Sequence, residues 1–219
     1  MVRGRATGTL LALVAMIGVA QLGNGRAASA EDAKTGPASD RTNRAAIQKW
    51  LDSVSKTVHP PIPPKVVQVD GVNDQVFPAD RFYAIRYTRF PRAVKPPDSL
   101  GLENLVRVRP DGSVERIESL QALKALFQSK VADVRTESQA RALLVSLLRL
   151  SEEFYQDGNF SFEIPQSSLS VVRQKNGIVA SGKAVVAKGG EGEISVAFRT
   201  DAPTKIEIAG KVRSDVRLR

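Results

Sequence analysis

The last third of the chain constrains the fold most, because apolar and polar residues alternate over segments that only short turns separate. The alternating apolar residues are Phe160, Phe162, Ile164, Ile194, Val196, Phe198, Ile206, Ile208 and Val212. Asn176-Gly177, which is typical of a type I′ hairpin, Lys188–Glu191 and Asp201–Thr204 mark the turns. Successive strands joined by short turns predict an antiparallel β-meander.

Two helical segments precede these strands. Ser119 opens the first, and Thr136–Gln139 opens the second with a capping-box pattern. The second segment has the most apolar face in the chain, formed by Ala140, Leu143, Leu144, Leu147, Leu148 and Phe154. We therefore predict an α+β fold in which a helical pair covers one face of a meander sheet. The helix-then-meander order resembles that of small cystatin-like and PepSY-like periplasmic modules, and this likeness of architecture assigns no site residue.

Further strands and a helix are predicted before the helical pair. Arg81–Phe90 alternates, with Tyr83, Ile85 and Tyr87 on one face, and Pro110–Gly112 marks a hairpin turn. Nearer the start, a short amphipathic helix carries an apolar stripe and takes Asp40 or Thr42 as its N-cap. The stripe consists of Ile47, Trp50, Leu51 and Val54. A helix this short is marginal alone, so we expect the stripe to dock on something.

Residues 1–30 have the pattern of a secretory signal peptide. Arg3 and Arg5 precede the apolar run Leu10–Ala20, and Ala28–Ala30 supplies the small residues of a cleavage site before Glu31. We expect export to the periplasm or beyond the cell, with an uncleaved N-terminal anchor as the alternative. No other stretch has the length of a membrane helix, so we expect no transmembrane segment in the mature chain.

The remaining boundaries follow from composition. We predict a disordered leader at 31–41, the short helix with a proline-rich strap at 42–65, a single α+β domain at 66–214 and a basic tail at 215–219. The strap is placed by four prolines between His59 and Pro64. Apolar residues make up 42% of the chain and charged residues 25%, which fits a globular domain.

Several chemistries are excluded or left without a candidate. The chain has no cysteine, which removes thiolate metal sites, cysteine nucleophiles and disulfides. Its single histidine, His59, precedes the prolines and is interpreted as a linker residue. Ser53–Lys56 and Lys34–Gly36 match two elements of the penicillin-recognising serine enzymes, but their order is reversed and the third element is missing. We therefore assign no catalytic, cofactor-binding or metal-binding residue, and we expect no cofactor.

Acidic and glycine-rich segments are likewise interpreted as structural. We expect Glu152 and Glu153 to end a helix and face water. Asp70–Asp74 lacks the spaced ligands of a calcium loop and predicts a turn. Gly189–Gly192 lies between strands, without the helix N-terminus that a phosphate cradle requires.

One basic stretch predicts an anion-binding patch. Arg81–Lys95 interleaves aromatic residues with five basic ones and no acidic one. The candidate residues are Arg81, Arg86, Arg89, Arg92, Lys95, Arg107 and Arg109. The alternative is that these arginines protect the edge of a half-buried strand. Removal of the signal peptide lowers the formal charge from +9 to +6, because Arg3, Arg5 and Arg26 leave with it.

Two functions stay open. The first is an exported, non-catalytic domain that binds or braces a component of the cell envelope, either an anionic polymer or another envelope protein; export argues against nucleic acid. The second is a small hydrolase or ligand-binding protein whose pocket, between helix and sheet, uses carboxylate, Ser or Tyr side chains. A deep pocket with ionisable groups of shifted pKa favours the second, and a filled interface favours the first.

Overall fold

The computed structural model describes residues 37–54, 63–87, 96, 99–156, 158 and 160–215. Within them the chain forms three helices, α1 (Pro37–Val54), α2 (Leu120–Asp133) and α3 (Glu137–Glu152). The strands are β1 (Lys65–Gln68), β2 (Arg81–Arg86), β3 (Glu103–Val108), β4 (Val114–Ile117), β5 (Ser161–Glu163), β6 (Ser170–Gln174), β7 (Gly177–Lys188), β8 (Gly190–Arg199) and β9 (Glu207–Ser214).

The strands form two antiparallel sheets. The first sheet has the order β1-β2-β3-β4. In the second sheet β5 and β6 both pair with β7, which is followed by β8 and β9. The predicted α+β fold with a meander is confirmed, and the strands are divided between two sheets where the sequence suggested one.

The first sheet buries one face against α1. The core cluster at this face consists of Ile47, Leu51, Tyr83, Ile85, Tyr87, Leu100, Val106 and Val108. The predicted alternation of β2 is therefore confirmed, because Tyr83, Ile85 and Tyr87 share this face. Ile47 is fully buried and Leu51 nearly so, which places the apolar stripe of α1 on the sheet.

The start of α1 differs from the prediction. The helix begins at Pro37, so neither Asp40 nor Thr42 is its N-cap, and it occupies part of the predicted leader. Proline is favoured at the first helical position, where its missing N–H has no intrahelical partner. Asp40 lies in the first turn instead, and its Oδ2 accepts a hydrogen bond from Arg44 Nε at 2.7 Å.

The other two helices begin at the predicted caps. Ser119 Oγ accepts from the backbone N–H of Ala122 at 3.1 Å. Thr136 Oγ1 accepts from the Gln139 backbone at 3.2 Å, and Gln139 Oε1 accepts from the Thr136 backbone at 3.1 Å. This reciprocal pair is a complete capping box.

One predicted turn is confirmed and another is displaced by one residue. Gly112 has a φ of 78° in the turn between β3 and β4, a conformation that favours glycine. Between β6 and β7, Gln174 pairs with Gly177, so the loop is Lys175-Asn176 and not Asn176-Gly177. Glycine is favoured at position 177 because Thr200 packs closely against it: a Cβ there would lie 2.7 Å from Thr200 Oγ1.

A second core cluster joins the two sheets through α2 and α3. Its buried members include Phe82, Leu105 and Ile117 of the first sheet, Phe127 of α2, Leu144, Leu147 and Leu148 of α3, and Ile178, Ala184, Val196 and Phe198 of the second sheet. β2 is buried on both faces, because Phe82 belongs to this cluster while Tyr83 and Ile85 belong to the cluster against α1.

The predicted signal peptide, His59 and the basic tail after residue 215 lie outside the described residues, as do the first two prolines of the strap. No helix in the part of the chain that is described is long and apolar enough to cross a membrane.

Candidate functional site

The described arginines of the predicted anion-binding patch each pair with a carboxylate. The pairs are Arg81 with Asp74 at 3.1 Å, Arg86 with Glu153 at 2.7 Å, Arg107 with Asp80 at 2.6 Å and Arg109 with Glu115 at 2.6 Å. Each carboxylate compensates charge that would otherwise attract a polyanion. Arg89, Arg92 and Lys95 lie outside the described residues, and the patch stays a prediction.

Arg86 connects the first sheet to the end of α3. Its Nη2 donates to both carboxylate oxygens of Glu153, at 3.0 and 2.7 Å. Its Nε lies 3.2 Å from Oε2 of Glu103, its cross-strand neighbour on β3. The Glu153 side chain is only 9% exposed, so this pair is largely removed from water. Charge-assisted contacts of this kind hold the helix end in one position.

Glu152 is also buried, at 7% exposure, and its carboxylate accepts from Arg149 Nη1 at 3.1 Å. Burial raises the pKa of Glu152 to about 7, against the lowering effect of the Arg149 charge. The prediction that Glu152 and Glu153 face water is wrong, because the last turn of α3 packs inside the protein instead of ending in solvent.

A small polar cavity of about 130 Å³ lies beside Glu153. Glu103, Arg116 and Glu118 line it, and Gln156 Oε1 is buried with no hydrogen-bond partner among the residues described. A cavity of this size can take a small polar group, but not an extended substrate.

The interface between α3 and the second sheet is filled at Gly182. Gly182 of β7 faces α3, and a Cβ at this position would lie 2.7 Å from Leu169 Cδ2. The same Cβ would lie 3.2 Å from Leu144 Cδ2 and 3.3 Å from Leu148 Cδ1. Not even a methyl group fits, so the place where a helix–sheet pocket would open is closed at this point.

The remaining sequence motifs have structural environments. Asp70–Asp74 forms a turn, with Gly71 at a φ of 79°. Ser53 Oγ donates to the Trp50 carbonyl at 2.7 Å, while Lys34–Gly36 and Lys56 lie outside the described residues. Within the described ranges no three acidic or histidine side chains are grouped so that they could hold a metal ion.

Three exposed arginines, Arg135, Arg141 and Arg173, have neutral acceptors in place of carboxylates; we call them the arginine seam. Arg173 Nη2 donates to the Arg135 carbonyl at 2.8 Å, and Arg141 Nη2 donates to Gln166 Oε1 at 2.7 Å. Arg135 Nη1 donates to the carbonyls of Ala132, at 2.6 Å, and Val134, at 3.1 Å.

Sequence reasoning missed this seam. Arg135 and Arg173 are 38 residues apart and meet only because the end of β6 lies beside the start of α3. The sequence offers one weak signal, which is that Arg173 and Lys175 in the β6–β7 hairpin have no acidic residue near them.

Comparisons of the chain with protein-family models, with curated proteins and with solved structures gave no match.

Proposed function

We propose that this chain is an exported, non-catalytic domain that binds or braces an anionic component of the cell envelope. The signal-peptide pattern of residues 1–30 supports export, and the formal charge of +6 after its removal supports an anionic partner.

The filled interface at Gly182 is the observation that carries the non-catalytic part of the proposal. A hydrolase acting between α3 and the second sheet would need open space beside its ionisable groups. Leu144, Leu148 and Leu169 occupy that space instead. The buried carboxylates Glu152 and Glu153 are engaged with Arg149 and Arg86.

Cell fractionation and N-terminal sequencing test the export part. The protein recovered from the envelope or medium should begin at or near Glu31. A chain that still carries Met1 after export would contradict cleavage, and a chain found only in the cytoplasm would contradict export. Sedimentation of the purified protein with isolated envelope material, at low and high salt, then tests binding.

The cavity beside Glu153 favours one second candidate, a protein that binds a small polar ligand. Its lining of Glu103, Glu118 and Glu153 suits a group that donates hydrogen bonds, such as an amine. Thermal-shift screening with small amines and guanidines tests this candidate, with Glu118→Gln as the variant. A ligand that stabilises the parent but not the variant would support it.

A further inference from the structure

Intramolecular hydrogen bonds anchor the side chains of the arginine seam without neutralising them. A guanidinium has five N–H donors in a rigid fork. Arg141 and Arg173 each use Nη2 in a bond to a neutral oxygen, and Arg135 uses Nη1. The remaining donors stay available on exposed side chains whose positions are already restricted, which reduces the entropy lost on binding.

The charge of the seam is uncompensated among the described residues. Asp133 and Glu137 are the acidic residues nearest to Arg135 in the sequence, and neither forms an ion pair with an arginine of the seam. Two exposed cations of the second sheet differ in this respect. Lys183 pairs with Glu193 at 2.8 Å, and Arg199 pairs with Asp201 at 2.8 Å.

We propose that the arginine seam binds an anionic polymer of the cell envelope through its oxyanion groups, a proposal that rests on the proposed function. The guanidinium fork matches the two oxygens of a phosphate or carboxylate group. Arg141 lies four residues beyond the start of α3, which is about 6 Å along the helix axis. The seam is therefore long enough to contact successive anionic groups of one chain.

The test is a titration of the purified protein with long-chain polyphosphate and with polygalacturonate at several salt concentrations. The parent should bind, and its affinity should fall as salt rises. The triple variant Arg135→Gln, Arg141→Gln, Arg173→Gln should bind about tenfold more weakly or worse, with a salt dependence reduced by about 2 to 3 counterions. Preference for one polymer distinguishes phosphate from carboxylate as the recognised group.

A second triple variant is the matched control. Lys183→Gln, Arg199→Gln and Arg213→Gln remove the same charge from side chains that are 49%, 51% and 83% exposed and that have carboxylate partners. This variant should bind within about twofold of the parent, since each lost charge was already compensated. An equal loss in both triple variants would mean that only net charge matters, and would overturn the seam.

Other outcomes distinguish a failure of the seam proposal from a failure of the proposed function. If the parent binds and only the variant Arg89→Gln, Arg92→Gln, Lys95→Gln loses binding, the function stands and the seam is overturned. A parent that binds neither polymer nor isolated envelope material would overturn both. Binding to phosphatidylglycerol vesicles but to neither polymer would overturn the polymer as the ligand. If the seam variant melts at a lower temperature than the parent, the single variants Arg141→Gln and Arg199→Gln replace the two triple variants. Arg141→Gln should then weaken binding more than Arg199→Gln.

Discussion

The Tyr83 hydroxyl donates a hydrogen bond to Asp40 Oδ1 at 3.1 Å, across 43 residues of sequence. The same hydroxyl accepts from Asn43 Nδ2 at 3.1 Å, so both of its hydrogen-bonding functions are directed at the first turns of α1. Arg44 Nη1 extends the contact by donating to the Val66 carbonyl of β1 at 2.6 Å. These bonds fix the register of α1 on the first sheet.

We predict that Tyr83→Phe lowers the free energy of unfolding by about 1 kcal/mol, because two hydrogen bonds to α1 are lost while the ring is kept. Tyr87→Phe is the matched control. Tyr87 is buried in the same core cluster, and its hydroxyl has no hydrogen-bond partner among the residues described. Urea denaturation of both variants measures the difference, and equal losses would contradict a role for the Tyr83 hydroxyl in docking.

Glu153→Gln should lower the free energy of unfolding by about 1–3 kcal/mol, because it removes a charged acceptor from the largely buried Arg86. Arg86 keeps Glu103 as a partner, which limits the loss. Glu193→Gln should cost less than about 1 kcal/mol, since Glu193 and Lys183 are each about half exposed. Urea denaturation measures both variants. If both lower the free energy of unfolding by the same small amount, Arg86 does not hold the end of α3.

The raised pKa of Glu152 predicts a pH-dependent stability. The pKa rises from 4.5 to about 7 on folding, so between these values the folded protein keeps a proton that the unfolded chain has released. The free energy of unfolding should therefore fall as the pH rises from 4.5 to 7, by roughly 3 kcal/mol from this group alone. Arg149 favours the charged carboxylate and Glu153 opposes it, and both effects are contained in this value.

Glu152→Gln isolates that contribution, because the amide does not titrate. The variant should gain stability relative to the parent as the pH rises above 4.5, with the difference levelling off above 7. Denaturation at a series of pH values gives both curves. Parallel curves would contradict a buried, titrating Glu152.

Leu144→Ala and Leu148→Ala should each lower the free energy of unfolding by roughly 2–5 kcal/mol, because both side chains are fully buried against the second sheet. Val172→Ala is the control, since Val172 is 52% exposed and should change stability by less than about 0.5 kcal/mol. A loss below about 0.5 kcal/mol in both leucine variants would mean that α3 packs elsewhere.

Local features of the fold could be predicted from the sequence. The capping box at Thr136 and the turn at Gly112 depend on a few neighbouring residues, and both are confirmed. The division into two sheets could not be predicted, because it depends on which distant residues cover the second face of β2. Phe82 is buried on that face in the same core cluster as Phe127 of α2, which is 45 residues away in the sequence.

The candidate site was harder to predict from the sequence, because it too depends on which distant residues meet. Arg86 carries the same charge in the sequence whether its neighbour in space is an acid or solvent. The structure places Glu153 beside it, 67 residues away in the sequence, and pairs the two side chains. Arg135 and Arg173 are the reverse case, since folding places the Arg173 guanidinium on the Arg135 carbonyl and not on a carboxylate.

The core cluster shared by both sheets takes its residues from both halves of the chain. A break between Ile117 and Leu120 would leave Phe82 and Leu105 on one fragment and Leu144 and Phe198 on the other. Each fragment would then expose the apolar side chains that it contributes to this cluster, although the first fragment would keep the whole cluster between α1 and the first sheet. We therefore expect neither fragment alone to keep the shared cluster packed, and a mixture of the two to restore it.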